Sequence, residues 1–500
     1  MVTIGFVLLV AGYLAVPGMW QWARAAAYAA RYEPANIVEQ VETPAPTVDA
    51  ALVEQLRDAT SSPQGAPVIL TYHDIGYSDN AYTVSPEAFA AQMQLLKAAG
   101  WTTLTAAQLD RWLRGDPLPP HSAMITFDDG ARGVWKYADP ILKRNDQHAS
   151  AYIITGFVGT HRPYYMTWDE LAALQSSGRW DLEAHTHLGH VQIPTDASGE
   201  QGPFLTSLQY LSDQHRVETI DEYHARIVND LLECKRQFAI HNLPEPIFFA
   251  YPFSAHGDEP GGTGILTSVI KTLFHAAVLD QPGGIATTTS DNVVQGNVAR
   301  MDITKDVSLE TWAQRVDDAS PLDPLASQPL SDLRAWTDSN EQPAPVTTDG
   351  DRLFLDPGPG GQASRQYAPY RSTMWNSYTV SADLAGFAAP GDGTSTEITV
   401  LAGDSQHKVS LNMSSGYYQV NVGHHSSEPF ASAELPEAAS HHVEMRVTAQ
   451  AVSITIDENT VVDVPLAAPK PRTAAGGFSI SGRREFDTSP VPEIRGLVIR

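Results

Sequence analysis

Between residues 68 and 318, short apolar runs alternate with longer stretches in which apolar residues recur every three or four positions. The runs "PVILTYHD", "SAMITFDD", "ASAYIIT", "WDLEAHTH", "PIFFAYPF" and "FHAAVL" predict buried strands. The stretches "SPEAFAAQMQLLKAAG", "TWDELAALQSSG" and "IDEYHARIVNDLLECKRQFAI" predict helices, the first with Ser85 as N-cap and Gly100 closing its end. Strand and helix alternating at this spacing imply an α/β domain with a parallel sheet, open or closed into a barrel. Pro and Ser are frequent through residues 319–348, which read as a linker. Beyond it the period shortens to two. "STEITVLA", "HKVSLNM", "YYQVNVG", "HVEMRVTAQ" and "AVSITIDENTVVDVPLA", with "DEN" as a hairpin turn, predict an all-β sandwich over residues 349–500.

Upstream of the α/β domain, residues 1–23 are apolar with no charge before Arg24, long enough to cross a bilayer. A basic start and a clean cleavage site are missing, which favours a retained membrane anchor over a cleaved signal segment. Residues 24–67, rich in Pro, Ala, Glu and Thr, read as a tether. Arg24 and Arg31 follow the apolar run, which by the positive-inside tendency leaves the body cytoplasmic. The chemistry below suits a polymer outside the cell and reverses that expectation: the body is expected to be extracytoplasmic, anchored or secreted. The 32 basic and 58 acidic residues give a net charge of -26, which disfavours nucleic acid and anionic lipid surfaces as partners. The single cysteine, Cys234, excludes an internal disulfide and a cysteine-based zinc cluster. No feature indicates a protein partner.

Candidate chemistry gathers where predicted strands end. Asp128 and Asp129 stand side by side before Gly130, and adjacent carboxylates repel unless a cation lies between them. His185, His187 and His190 crowd the end of a later strand. Two imidazoles and one carboxylate form a three-ligand set suited to zinc or a similar divalent ion; a solvated histidine cluster is the alternative. Tyr251 and Phe253, in "FFAYPF", read equally as core aromatics or as the lining of a groove.

"TFDDG", "HTHLGH" and "FFAYPF", in this order and each at a strand end, resemble the first three motifs of the NodB-type polysaccharide deacetylases, carbohydrate esterase family 4. The resemblance spans roughly residues 68–318. It implies a distorted (β/α) barrel, a divalent metal that is usually zinc, Asp128 as general base, and Asp129 with two histidines as ligands. The commoner family form spaces those histidines four apart. Here His185 and His190 are five apart, which resembles the branch acting on poly-β-1,6-N-acetylglucosamine, with His187 as the substitute for His185. The third motif usually carries an arginine, absent from Ala250-Tyr251-Pro252-Phe253; the Phe253 N–H remains as a donor to an oxyanion. His73, in "ILTYHDIG", resembles the acid histidine of that branch, a residue that merely bonds the barrel rim being the alternative, whereas His275 in "LFH" lies too early for the late histidine motif. Arg300 and Asp302, in "GNVARMDI", are expected to orient Asp128 or contact sugar, an ordinary buried ion pair being the alternative.

The expected activity is metal-dependent removal of N-acetyl groups from a β-linked N-acetylglucosamine polysaccharide, poly-β-1,6-linked by preference. Peptidoglycan or chitin-like β-1,4 chains, and an inactive glycan-binding protein, are the alternatives. The closing sandwich resembles concanavalin-like or laminin-G-like jelly rolls, in which Trp375, Tyr378, Tyr417 and Tyr418 would supply stacking surfaces for glycan. The histidine pairs at His424 and His441 are expected at the surface, Trp168 reads as the start of a helix, and His148, His224 and His241 as solvated.

Overall fold

The computed structural model describes residues 37–500 apart from 162, 258, 282–284, 338–345, 388–390, 404–406, 424–427 and 467–475. The expected anchor at 1–23 and His424 lie outside the described residues, among which no helix is long and apolar enough to cross a membrane.

Seven parallel strands close into a barrel: β1 (Val68–Tyr72), β2 (Ser122–Phe127), β3 (Ala149–Ile153), β4 (Trp180–Ala184), β5 (Phe248–Ala250), β6 (Ala276–Gln281) and β7 (Asn297–Asp302). The ring runs β1-β7-β6-β5-β4-β3-β2 and closes where β2 pairs with β1 in register from Val68↔Ala123 to Tyr72↔Phe127. The strands are buried on both faces, because alternate residues feed two cores. Ile69, Met124, Tyr152, Phe248, Val278 and Val298 belong to the barrel interior, while Leu70, Ile125, Phe127, Leu182 and Ala277 pack against the surrounding helices.

Helix ends follow the caps present in the sequence. Ser85 caps Pro86–Ala98, and Thr167 and Thr219 form capping boxes with Glu170 and Glu222 at Trp168–Ser176 and Ile220–Ile240. The 24–67 tether is revised from residue 37 onward. The Val38 N–H donates to Glu170 Oε1 at 3.0 Å, Trp135 Nε1 donates to the Val38 carbonyl at 2.7 Å, and Leu56 of helix Ala50–Asp58 is fully buried.

The C-terminal part is a sandwich of two seven-stranded antiparallel sheets sharing one core, with Ile398, Leu411 and Ile480 from one sheet facing Val380, Val443 and Ile454 from the other. Asp457 and Glu458 turn the "DEN" hairpin with positive φ (47° and 67°). The 319–348 linker is also revised, since Leu322, Trp336 and Val346 sit in the sandwich core. Trp375, Tyr378 and Tyr418 are buried there too, so of the four proposed stacking residues only Tyr417 is exposed. His441 is buried with Nδ1 2.7 Å from Asp457 Oδ2, not a surface residue.

Candidate metal centre and catalytic groups

Residue parity within the strands builds the site. Asp128 continues the inward series Met124–Thr126, Arg300 and Asp302 continue Val298, Asp280 continues Val278, His185 continues Asp181–Glu183, and His73 continues Ile69–Thr71. All six therefore leave the interior at the C-terminal rim, where active sites of parallel barrels are built. Asp129 would point outward by the same rule. Left-handed backbone at Asp129 (φ 70°) and Gly130 (φ 82°) turns the chain and brings it back to the rim.

There Asp129 Oδ1 meets His185 Nε2 at 3.5 Å and His190 Nε2 at 3.4 Å. The buried Asp129 Oδ1 has no hydrogen-bond partner among the described residues. The Ala250 carbonyl lies 2.8 Å from His185 Nδ1 and can only accept, so Nδ1 carries a hydrogen and Nε2 is the atom turned to Asp129; burial lowers this imidazole, but the Asp128 and Asp129 charges outweigh it and leave it above the usual histidine range. Burial and the neighbouring His185 pull His190 down to about 4, so it is neutral and able to ligate at neutral pH. Burial raises the Asp129 carboxyl, but His185, His190 and His73 outweigh it and leave it ionised, below the usual carboxylate range. An acceptor-only oxygen facing two imidazole nitrogens fits a divalent cation. His187 is not part of this group: its Nδ1 lies 3.0 Å from Thr155 Oγ1.

Beside this triple, Asp128 is buried and gripped by both terminal nitrogens of Arg300, Nη1 to Oδ1 at 2.8 Å and Nη2 to Oδ2 at 2.6 Å. Burial pushes the Asp128 carboxyl up, yet the Arg300 charge foremost, then His185 and His73, hold it well below the usual range. Arg300 is fully buried, with Nε 3.0 Å from Asp280 Oδ1 and its guanidinium 5.1 Å from the centre of the Tyr152 ring. Its expected contact with sugar is therefore corrected: no solvent reaches it, and it braces Asp128. His73 joins the rim with Asp128 and Asp280, and its Nδ1 lies 3.9 Å from Asp302 Oδ1. Burial foremost, with the Asp280 and Asp128 charges, raises the Asp302 carboxyl.

Of the third motif, Tyr251 is corrected from groove lining to core: it is 4% exposed and packs edge-on against Phe249. Phe253 is half exposed, in left-handed backbone (φ 58°), with its ring 4.5 Å from that of His190. His275 sits at the opposite end of the barrel, 2.9 Å from Asp110 Oδ1. Trp168 stacks on His241 at 3.8 Å and His148 Nε2 meets Asp181 Oδ2 at 2.8 Å, so neither histidine is merely solvated.

Two site residues escaped sequence reasoning. Asp280 ends β6 in "AVLDQ", a carboxylate after an apolar run as in "ITFDD", and that grammar marks it. Asp230 lies in helix Ile220–Ile240 on the apolar stripe of Ile227, Leu231 and Cys234, where a charge is out of place unless it has partners. It accepts the N–H of His187 at 2.9 Å and of Leu188 at 2.7 Å, fixing the loop that carries His190.

Residues 115–260 match the family described as "Polysaccharide deacetylase". Over 271 residues the chain is 24% identical to a poly-beta-1,6-N-acetyl-D-glucosamine N-deacetylase of Escherichia coli (strain K12), an alignment covering 51% of this chain and 39% of the relative. A protein of the same name from Staphylococcus aureus (strain MSSA476) is 26% identical over 181 residues, 36% of this chain and 56% of the relative. The chain thus spans about half the length of the curated relatives it matches, or less. A solved de-N-acetylase from Aggregatibacter actinomycetemcomitans is 19% identical, with a TM-score of 0.43 over 50% of this chain and 98% of that one.

Proposed function

We infer that this chain, whose barrel belongs to the polysaccharide deacetylases, hydrolyses the N-acetyl groups of a β-1,6-linked N-acetylglucosamine polysaccharide. One observation carries the reading: a buried, unpartnered carboxylate oxygen faces two imidazoles, beside a second carboxylate braced by arginine. Asp129, His185 and His190 would hold a divalent ion, for which zinc suits the donor set. Such an ion, when bound, supplies Lewis acidity toward water and the acetamide carbonyl.

Asp128, ionised in the grip of Arg300, accepts a proton from the attacking water. The oxygen adds to the acetamide carbon, and the Phe253 N–H donates to the oxyanion that forms. His73, with Asp302 alongside, protonates the departing nitrogen as the C–N bond breaks. Acetate leaves, and the sugar keeps a free amine. Arg300 touches no reacting atom; it positions Asp128 and keeps it charged. In this reading the body works outside the cytoplasm, held by the N-terminal apolar segment or released.

The test of substrate is acetate release by the zinc-loaded chain from three polymers offered separately. Release from poly-β-1,6-N-acetylglucosamine at a rate well above chitin oligomers and peptidoglycan fragments is expected. Preference for a β-1,4 chain would overturn the assigned linkage while keeping the chemistry, and silence on all three would leave a glycan-binding protein.

A further inference from the structure

Residues 38–43 cross the outside of the barrel as an extended strap, and the groups it touches frame the loop that follows Asp129. Val38 and Gln40, half-buried, alternate with Ile37, Glu39 and Val41, which are exposed. The Val38 N–H donates to Glu170 Oε1 at 3.0 Å, and Trp135 Nε1 donates back to the Val38 carbonyl at 2.7 Å. Gln40 Nε2 donates to the Trp135 carbonyl at 3.1 Å and to Asp139 Oδ2 at 2.7 Å, and the Val41 N–H donates to the Lys136 carbonyl at 2.8 Å. The sequence explains why those two carbonyls are open to the strap. They belong to the π-helical turn Val134–Ala138, and Pro140, one turn further on, has no N–H to give them. The strap supplies the donors that the proline withholds.

The same groups hold the aspartate loop. It is laced to residues 164–166: the Met166 N–H donates to the Gly130 carbonyl at 3.0 Å, and the Arg132 N–H to the Tyr164 carbonyl at 2.6 Å. Glu170, fully buried, ties this lacing to the strap, because its Oε2 accepts from Arg132 Nε at 3.0 Å and from the Thr167 N–H at 2.9 Å while its Oε1 accepts from Val38. At its other end the loop runs straight into the π-helical turn whose carbonyls the strap satisfies. The strap itself is lightly held. Ile37 is 47% and Val41 40% exposed, so attachment rests on hydrogen bonds more than on core burial, and segments of that kind open at low cost. Opening strips donors from Glu170 Oε1 and from both carbonyls, which favours rearrangement of the turn and of the loop that leads into it.

We propose that residues 38–43 are a conformational clamp on the metal site: docked, the strap keeps Asp129 where it meets His185 and His190, and released, it lowers the affinity of the rim for a divalent ion with every ligand still present. The inference rests on the reading of the rim as a metal centre. Val38, Gln40 and Glu170 are then positioning residues, acting on Asp129 through Arg132 and the π-helical turn. Whatever takes up or strains the N-terminal segment tunes the site from outside it.

The test uses the full chain and zinc alone, competed by a chelator. Gln40→Ala, and Val38→Pro, which removes the donated N–H, are each expected to lower zinc affinity about tenfold. Leu56→Ala is the control. It opens a cavity under the next helix of the same segment, so it is expected to lower the unfolding temperature while leaving zinc affinity within about twofold. Hydrogen exchange at residues 130–134, measured in chelator without metal, reads the strap even on a rim that binds no ion; faster exchange is expected in both strap variants and not in Leu56→Ala. An unaltered chain that binds no zinc yet shows this exchange pattern would sink the metal-centre reading and keep the strap's hold on the loop. Zinc affinity and loop exchange that ignore both strap substitutions, or that change as much in Leu56→Ala, would overturn the clamp.

Discussion

Asp128 and Arg300 form a buried ion pair in which each partner makes the other tolerable, with Asp280 sharing the arginine. Removing the guanidinium by Arg300→Ala strands two carboxylates in the barrel, and a loss of about 3–5 kcal/mol in unfolding free energy is expected by denaturant titration. Arg300→Lys keeps a charge but not the two-pronged grip. Burial then raises Asp128 with less to oppose it, so the acid limb of the kcat profile moves to higher pH while the alkaline limb stays in place. At the pH optimum of the unaltered chain, kcat is expected to fall about tenfold or more, with KM little changed. Coincident pH profiles would show that Arg300 does not set the charge of Asp128. This pair also marks the boundary of what was legible in the sequence. The residues proposed as ligands and base were readable as a cluster because DDG and the histidine run are local patterns. In the sequence Arg300 stays open between orienting Asp128, contacting sugar and an ordinary buried ion pair, because its role depends on β7 closing against β6 and β1, a proximity across more than 170 positions that no local pattern encodes.

At the scale of elements, the rim works because strand parity points each inward residue to one end, and because two loops are pinned from outside. Asp230 pins the histidine loop. Asp230→Ala leaves two backbone N–H groups without their acceptor, for an expected loss of about 2 kcal/mol in thermal unfolding. Metal affinity, read by competition with a chelator, is expected to fall about 10- to 100-fold although no ligand is changed. The aspartate loop is pinned at Gly133, where a Cβ would fall 2.1 Å from both Asp74 Oδ1 and the Ile75 carbonyl. Gly133→Ala therefore cannot be housed without moving one loop, and soluble yield and metal content are both expected to drop. Most strands and the long helices were legible from periodicity and caps, as "DEN" was for its hairpin. The segments read as tether and linker were misjudged because their composition is polar. A few anchors, Leu56, Trp135 with Val38, and Trp336, suffice to fasten them to the two cores.

At the scale of the molecule, barrel and sandwich have separate main cores, joined where Met374 enters the barrel's interior cluster and Arg371 reaches Thr60 Oγ1 at 2.6 Å and the Ser320 carbonyl at 3.0 Å. A ligand that binds only the folded barrel stabilises that part alone. If the rim holds zinc as proposed, zinc at about 100 times its dissociation constant would be worth about 2.7 kcal/mol to the barrel, and calorimetry is expected to show one transition rising with zinc while another stays fixed. A net charge of -26 also suits the product of the proposed reaction, which gains an ammonium with each acetyl group lost; under that proposal product is expected to be retained near the surface at low salt and released as salt rises.

The most direct test of the central claim is acetate release from poly-β-1,6-N-acetylglucosamine by the full chain, measured with bound metal quantified in the same samples. The unaltered chain is expected to carry about one divalent ion and to release acetate until a chelator removes it. Asp128→Asn is expected to keep the ion and lose at least about a hundredfold in rate, whereas Asp129→Asn loses ion and rate together. Undiminished release after the metal has been stripped, or from Asp128→Asn, would contradict the assignment of this rim as the catalytic site.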